Sequence, residues 1–238
     1  MSAFLYGVAL QWRMDIRSRS LLITCYAVPL VFFVFMGGVF TSINPQAKDT
    51  LIQSMTVMGV SMGAFIGLPP SLVELYASEK RKIYRANGVP LSLGAITTCL
   101  SAMIHLLLMA GILCAAAPIL FDAALPTNLA GYFCSLAAFL AVSLSVGCVL
   151  GLLVKNQAKL TMISQLIFLP SIMLSGIMFP SEMLPKPLQL LGDAFPAAWG
   201  YRLLLGEGPF WENLGPLAGI LAVMVLLCWI LLRRMKLR

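Results

Sequence analysis

Few residues in this chain could do chemistry: one histidine, six cysteines and nine carboxylates among 238 residues. His105 lies mid-way along an apolar run, where an ionisable group is expensive and can mark a proton or ion pathway. No run carries an acidic partner for it, so a hydrogen-bonded packing residue is the simpler reading. Cys25, Cys99, Cys114, Cys134, Cys148 and Cys228 all fall inside apolar runs without C-x-x-C spacing, which suits small packing residues better than a metal or redox centre. H-E-x-x-H and G-x-S-x-G are absent, and no Asp or Glu stands near the centre of a run. The chain is therefore not read as an enzyme. Coupling to protons or sodium is disfavoured, although unwound backbone carbonyls also bind ions. With no G-x-x-x-x-G-K-[ST] loop, any ATP must be bound by another chain.

The elements that would hold these residues are six apolar runs, at 21–41, 51–73, 92–118, 129–153, 160–179 and 214–232. About 20 such residues, at roughly 1.5 Å each, cross a hydrocarbon core of roughly 30 Å. Hydrophobic residues make up 60% of the chain and charged ones 11%, too little polar surface to coat a soluble globule. The reading is an all-α membrane protein with six transmembrane helices in one domain over 1–238. The first run reads as an uncleaved span, because some twenty residues with acidic Asp15 precede it.

Placing both termini on one side puts 13 of the 16 Lys and Arg residues there, including Arg13, Arg17, Lys80, Arg81, Arg233 and Arg234. The other side keeps Lys48, Lys186 and Arg202 with six of the nine acids. The positive-inside rule then makes both termini cytoplasmic in a multi-pass protein of a bacterial cytoplasmic membrane. The net charge of +7 is this loop asymmetry, and no nucleic-acid partner is expected.

Three segments outside the runs carry the specific information. Residues 1–20 read as an interfacial helix, with Phe4, Leu5, Val8 and Trp12 on one face and Arg13, Asp15 and Arg17 polar. Between runs two and three, Glu74, Glu79, Lys80, Arg81, Lys82 and Arg85 bring both charges at helical spacing. Gly88 and Pro90 stop that helix, and an exposed Tyr84 completes a docking surface for a soluble partner. After run five, Pro180, Pro185 and Pro187 break the helix at its outer end. Glu182 and the Met183–Leu191 leucines follow, Pro196 breaks the chain again, and the segment dips into the outer interface as short re-entrant helices. Within the spans, Gln53, Thr56, Ser61, Gln165, Ser171 and Ser175 are the polar residues that could line a route. Gly59, Gly63 and Gly67, and Gly147 with Gly151, are close-packing positions for contacts within the chain or with a second copy.

Taken together, the S-G-I-M-F-P-S-E-M-L-P run at Ser175–Pro185, followed by Phe195 and Pro196, and the E-K-R-K run at Glu79–Lys82 resemble the permease subunits of type-2 ATP-binding-cassette exporters. The resemblance spans all six runs in order, but the Gly-Thr pair that many relatives carry in the cytoplasmic loop is absent. It implies that 1–20 is the connecting helix, with Trp12, Arg13 and Asp15 on it. Residues 74–88 would be the coupling helix that docks on a separate ATPase subunit through Glu74, Glu79, Lys80, Arg81, Tyr84 and Arg85. Pro180, Glu182, Pro185 and Pro196 would belong to the outer gate. Two permease chains would pair with two ATPases in contact with membrane lipids, with no cofactor on this chain and ATP and Mg on the partner. The implied cargo is a hydrophobic or amphipathic molecule: a drug, an antibiotic, a lipid or a lipid-linked glycan. An ion-coupled secondary transporter and a non-transporting assembly or sensor subunit are the alternatives.

Overall fold

The computed structural model describes residues 3–77, 84, 86–178 and 180–237, and every regular element among them is helical. Helix α1 (Ala3–Arg17) is followed by α2 (Arg19–Leu22), a π-turn at Ile23–Ala27 and α3 (Val28–Ile43). A 3₁₀ turn at Pro45–Asp49 leads into α4 (Leu51–Met62), a second π-turn at Gly63–Gly67 and α5 (Leu68–Ala77). Then come α6 (Leu91–Phe121), α7 (Leu129–Leu153) and α8 (Gln157–Met173). A 3₁₀ turn at Ser181–Met183, α9 (Lys186–Gly192), α10 (Pro196–Leu205) and α11 (Phe210–Leu237) complete the chain.

Five helical stretches among the described residues have the length and apolarity to cross a membrane: Ile23–Ile43, Leu51–Tyr76, Leu91–Phe121, Leu129–Leu153 and Phe210–Met235. The fifth apolar run of the sequence forms α8, a 17-residue helix about 25 Å long. It closes at Leu174, and Gly176 turns the chain with φ +89°, a conformation that suits a residue without Cβ. Pro180, Pro185 and Pro187 thus do not break this helix, which has already ended at Met173. Their fixed φ instead opens the elements that follow: Pro180 and Pro185 are the N-caps of the 3₁₀ turn and α9, and Pro196 is the first residue of α10.

The α4–α5 stretch is the buried axis of the fold, with Ile52, Val57, Val60, Ala64, Phe65 and Leu72 sealed from the surface. Small residues bring its neighbours close. A Cβ on Gly147 of α7 would lie 2.0 Å from the Ala64 carbonyl oxygen, and one on Gly151 would lie 2.7 Å from Leu72 Cβ. On the axis itself Gly59 faces Met109 and Pro29, while Gly63 faces Leu106. All these glycines are spent on contacts within the chain.

Both π-turns have the same cause. Pro29, and the Pro69–Pro70 pair, supply no N–H to the carbonyls four residues earlier, so the helix widens there. The bonds shift to Val28 N–H on Ile23 O and Leu68 N–H on Gly63 O. The two widened turns pack together, and a Cβ on Gly67 would lie 3.3 Å from Cys25 Sγ. Outside the axis, α11 leaves Val223, Val225, Leu226 and Trp229 exposed, as a lipid-facing helix would.

Candidate functional site

Two polar constellations interrupt this apolar framework. The first joins α1 to α6. Trp12 and Asp15 are three residues apart on α1, and Ser101 and His105 are four apart on α6, so each pair lies on one helical face. Trp12 stacks on His105 with ring centroids 4.0 Å apart and planes 15° apart. Ser101 Oγ donates to Asp15 Oδ2, and Gln11 Nε2 donates to Asp15 Oδ1 at 2.9 Å. From the first span Tyr26 closes the group, its hydroxyl 2.8 Å from His105 Nδ1. His105 Nε2 is buried with no hydrogen-bond partner among the described residues.

Asp15, expected on the polar face of α1, is therefore buried at 5% exposure. The Ser101 hydroxyl and the Gln11 amide replace part of the hydration that the carboxylate gives up on turning inward. Burial pushes the Asp15 carboxyl above its ordinary range; the hydrogen bonds from Ser101 and Gln11, and then the charge of His105, pull it part of the way back. Arg13 and Arg17 are exposed, as are the apolar Phe4, Leu5, Leu10 and Met14.

The second constellation lies at the opposite end of the axis, around the start of α4. Ser54 Oγ donates to the Tyr201 hydroxyl of α10 at 3.1 Å, and the Tyr132 hydroxyl of α7 donates to Thr56 Oγ1 at 2.7 Å. Cavities flank α10 here. One of about 440 Å³ is lined by Phe40, Thr50, Ser54, Met178, Pro180 and Tyr201. The other, also about 440 Å³, is lined by Gln53, Asn128, Tyr132, Ser135, Leu204 and Phe210. The wall between them is rigid. Trp199 Nε1 donates to the Asp193 carbonyl at 2.7 Å, and Arg202 pairs with the Asp193 carboxylate at 3.0 Å and lies 4.8 Å from the Trp199 ring centroid. A Cβ on Gly192 would stand 2.5 Å from the Leu174 carbonyl oxygen, so the end of α9 is clamped on the end of α8.

Of the sequence-derived lining residues, Gln53, Thr56, Ser61, Ser171 and Ser175 are buried. Gln53 Oε1, Ser61 Oγ and Ser171 Oγ lack a hydrogen-bond partner among the described residues, and Ser175 Oγ donates to Ile172 O at 2.8 Å. Gln165 is exposed, about a third of a turn around α8 from buried Ser164 and Ser171, and so stands apart. Pro180 borders the first cavity, Pro185 is exposed, Pro196 is buried, and the side chain of Glu182 lies outside the described residues.

Glu79, Lys80, Arg81, Lys82 and Arg85 lie outside the described residues. Glu74 is exposed at the end of α5. Tyr84, expected to be exposed, is half-buried against the hydrophobic core, where Gly94 leaves room for its ring. Gly88 has φ +67°, and Val89 N–H bonds Tyr84 O at 2.9 Å, the expected stop before α6.

Sequence reasoning missed Gln11, Tyr26, Ser101 and Tyr132. The i, i+4 pairing of Ser101 with His105 on an otherwise apolar helix was the available signal; the tyrosines carried none beyond ordinary aromatic content. All six thiols are unbridged, and among the described residues no group of three or more His, Cys, Asp or Glu is arranged to hold a metal ion. Against known proteins, a family model described as "ABC-2 type transporter" matches residues 3–206. No curated protein matches the chain.

Proposed function

The chain belongs to the ABC-2 type transporter family as its membrane-spanning permease subunit, with ATP hydrolysis residing on a separate ATPase subunit, and on that premise we propose that it is an exporter. It moves a hydrophobic or amphipathic molecule outward across the cytoplasmic membrane of a bacterial cell by alternating access. In this reading α8 is a sixth span, short because its outer end opens into the gate segment, and both termini face the cytoplasm. The concentration of Lys and Arg on the terminal side supports that orientation. Two permease chains pair with two ATPases, which carry ATP and Mg.

One observation carries the proposal: the paired cavities beside α10, each about 440 Å³ and lined by mostly apolar residues with several hydroxyl and amide groups and, in the second, the Asp49 carboxylate. That lining suits an amphipathic molecule. Of the residues read as outer gate Pro180 borders the first cavity, and of those read as lining Gln53 borders the second. The exposed Met183, Leu190 and Leu191 support an α9 segment that dips into the outer leaflet. Opening would separate α10 from α4 at the Ser54–Tyr201 contact when ATP closes the ATPases below.

The test is purification of the tagged chain from its membrane in mild detergent, with identification of co-purifying chains and measurement of vanadate-sensitive ATP hydrolysis. A near-equal amount of an ATPase subunit, lost when Glu79 and Arg81 are charge-reversed together but with insertion intact, is the expected outcome. Recovery of the chain alone, under conditions that preserve a comparable complex, would sink the exporter reading. ATP-dependent uptake of substrate into inverted vesicles, with ATP supplied in the medium that the cytoplasmic face then meets, tests direction.

A further inference from the structure

On the side of the molecule away from α8, a groove runs between α6, α7 and α11. Its cavity is about 380 Å³ and its walls are apolar: Ile96, Cys99 and Met103 from α6, Leu144 from α7, Val225 and Trp229 from α11. On α6 the groove extends from Ser92 to Met103, eleven residues or roughly 16 Å along the helix axis. Ile96, Val225 and Trp229 are 47%, 54% and 55% exposed, so it opens sideways, where acyl chains would lie in a membrane.

One end of the groove is different in kind. Ser92, Trp229 and Leu232 also border a second cavity of about 720 Å³, whose further walls are Val89, Pro90, Leu91 and Arg233. The Arg233 guanidinium sits 5.0 Å from the centroid of the Trp229 ring, which fixes the cation over the mouth of the apolar groove. Arg234 is exposed beside it. The amides of Leu91 and Ser92 open α6 after Pro90, and no side chain caps them. An apolar trough of this length, closing on a fixed cation, an indole and a hydroxyl, has the chemistry of an amphiphile with an acidic head.

We propose that this groove binds an anionic diacyl phospholipid of the cytoplasmic leaflet, its acyl chain along α6 and α11 and its phosphate at Arg233. The assignment rests on the cytoplasmic orientation of the carboxyl terminus proposed above. Charge complementarity selects the occupant: a zwitterionic lipid would fill the trough equally well but gain less at Arg233, and another protein would have to seat an acidic group beside Trp229 in the lipid plane. The lipid would brace α11 against α6, which it touches little, its main packing being on α7.

The test uses the full chain in phosphatidylcholine vesicles doped with brominated phosphatidylglycerol or brominated phosphatidylcholine of identical acyl chains. Bromine quenches nearby indole, and the Trp229 share of quenching is the wild-type signal minus that of Trp229→Phe. Phosphatidylglycerol is expected to quench this share at about fivefold lower mole fraction, the effect of one basic residue at an anionic surface. Arg233→Gln should erase the difference, Arg233→Lys should keep most of it as a control for folding, and substitution of Ala141 on the α7 wall of the groove, Ala141→Phe, should lower quenching by both lipids by filling the trough. Equal quenching by the two lipids in the wild type, or an unchanged preference in Arg233→Gln, overturns the proposal. So does the absence of quenching by either lipid, the result a second copy seated over the groove would give. Neither ATP turnover nor transport enters these readouts, so they stand or fall separately from the exporter reading.

Discussion

Trp12 lies flat on His105, the ring centroids 4.0 Å apart, and so joins the amino-terminal helix to the middle of α6. With Asp15 on Ser101, this contact makes α1 part of the folded bundle and ties it to α6. The arrangement has consequences that can be measured.

Asp15 should make stability depend on pH. Its folded-state carboxyl is held above the ordinary range, chiefly by burial, so the folded state binds more protons than the unfolded one between the two values. The stabilisation is fully present below the unfolded value and is lost as pH rises through the folded one. Thermal unfolding in detergent should show wild type gaining on Asp15→Asn as pH falls from neutrality toward the carboxylate range. Parallel curves for the two proteins would refute the assignment.

Tyr26→Phe removes the hydroxyl 2.8 Å from His105 Nδ1 and leaves a second buried ring nitrogen without a partner. The cost should be about 1–3 kcal/mol, read as a fall in Tm of about 2–4 °C for each kcal/mol. A Tm equal to wild type would show that His105 needs no partner at this position.

Gly147→Ala should destabilise the fold and Gly219→Ala should not. The first drives a Cβ to 2.0 Å from the Ala64 carbonyl oxygen, a backbone atom that cannot swing aside. Overpacking of this kind costs about 1–3 kcal/mol, occasionally more. The second meets nothing within 4 Å and should be neutral, or stabilising by about 0.5–1 kcal/mol, because alanine replaces glycine inside α11. Comparison of the two melting temperatures with wild type decides the matter.

Ala47→Trp would fill the cavity between Thr50, Ser54, Pro180 and Tyr201 without touching residues 74–88. Transport should stop while co-purification with the ATPase is retained. Wild-type efflux from this variant would remove the cavity from the route.

From the sequence alone came the helical class, the placement of the apolar runs and the asymmetry of their charged links. These are properties of local composition: a run of some twenty apolar residues has one way to satisfy its backbone in lipid, and Gly88 and Pro90 stop a helix wherever it is packed. The S-G-I-M-F-P and E-K-R-K stretches also carried the family resemblance. Tertiary structure decided which faces met. Nothing in the pattern of α1 says that Asp15 turns inward, because that depends on Ser101, 86 residues away, offering a hydroxyl at the right height. Gly147 and Gly151 could have served a second copy as well as the Ala64–Leu72 face, and only close packing assigns them. The early end of α8 follows the same logic, since Gly192 brings α9 against the Leu174 carbonyl and the chain must turn to allow it. Periodicity reports how much of a helix is apolar; the identity of its neighbour is set by shape and by which buried polar atoms find partners across long separations in sequence.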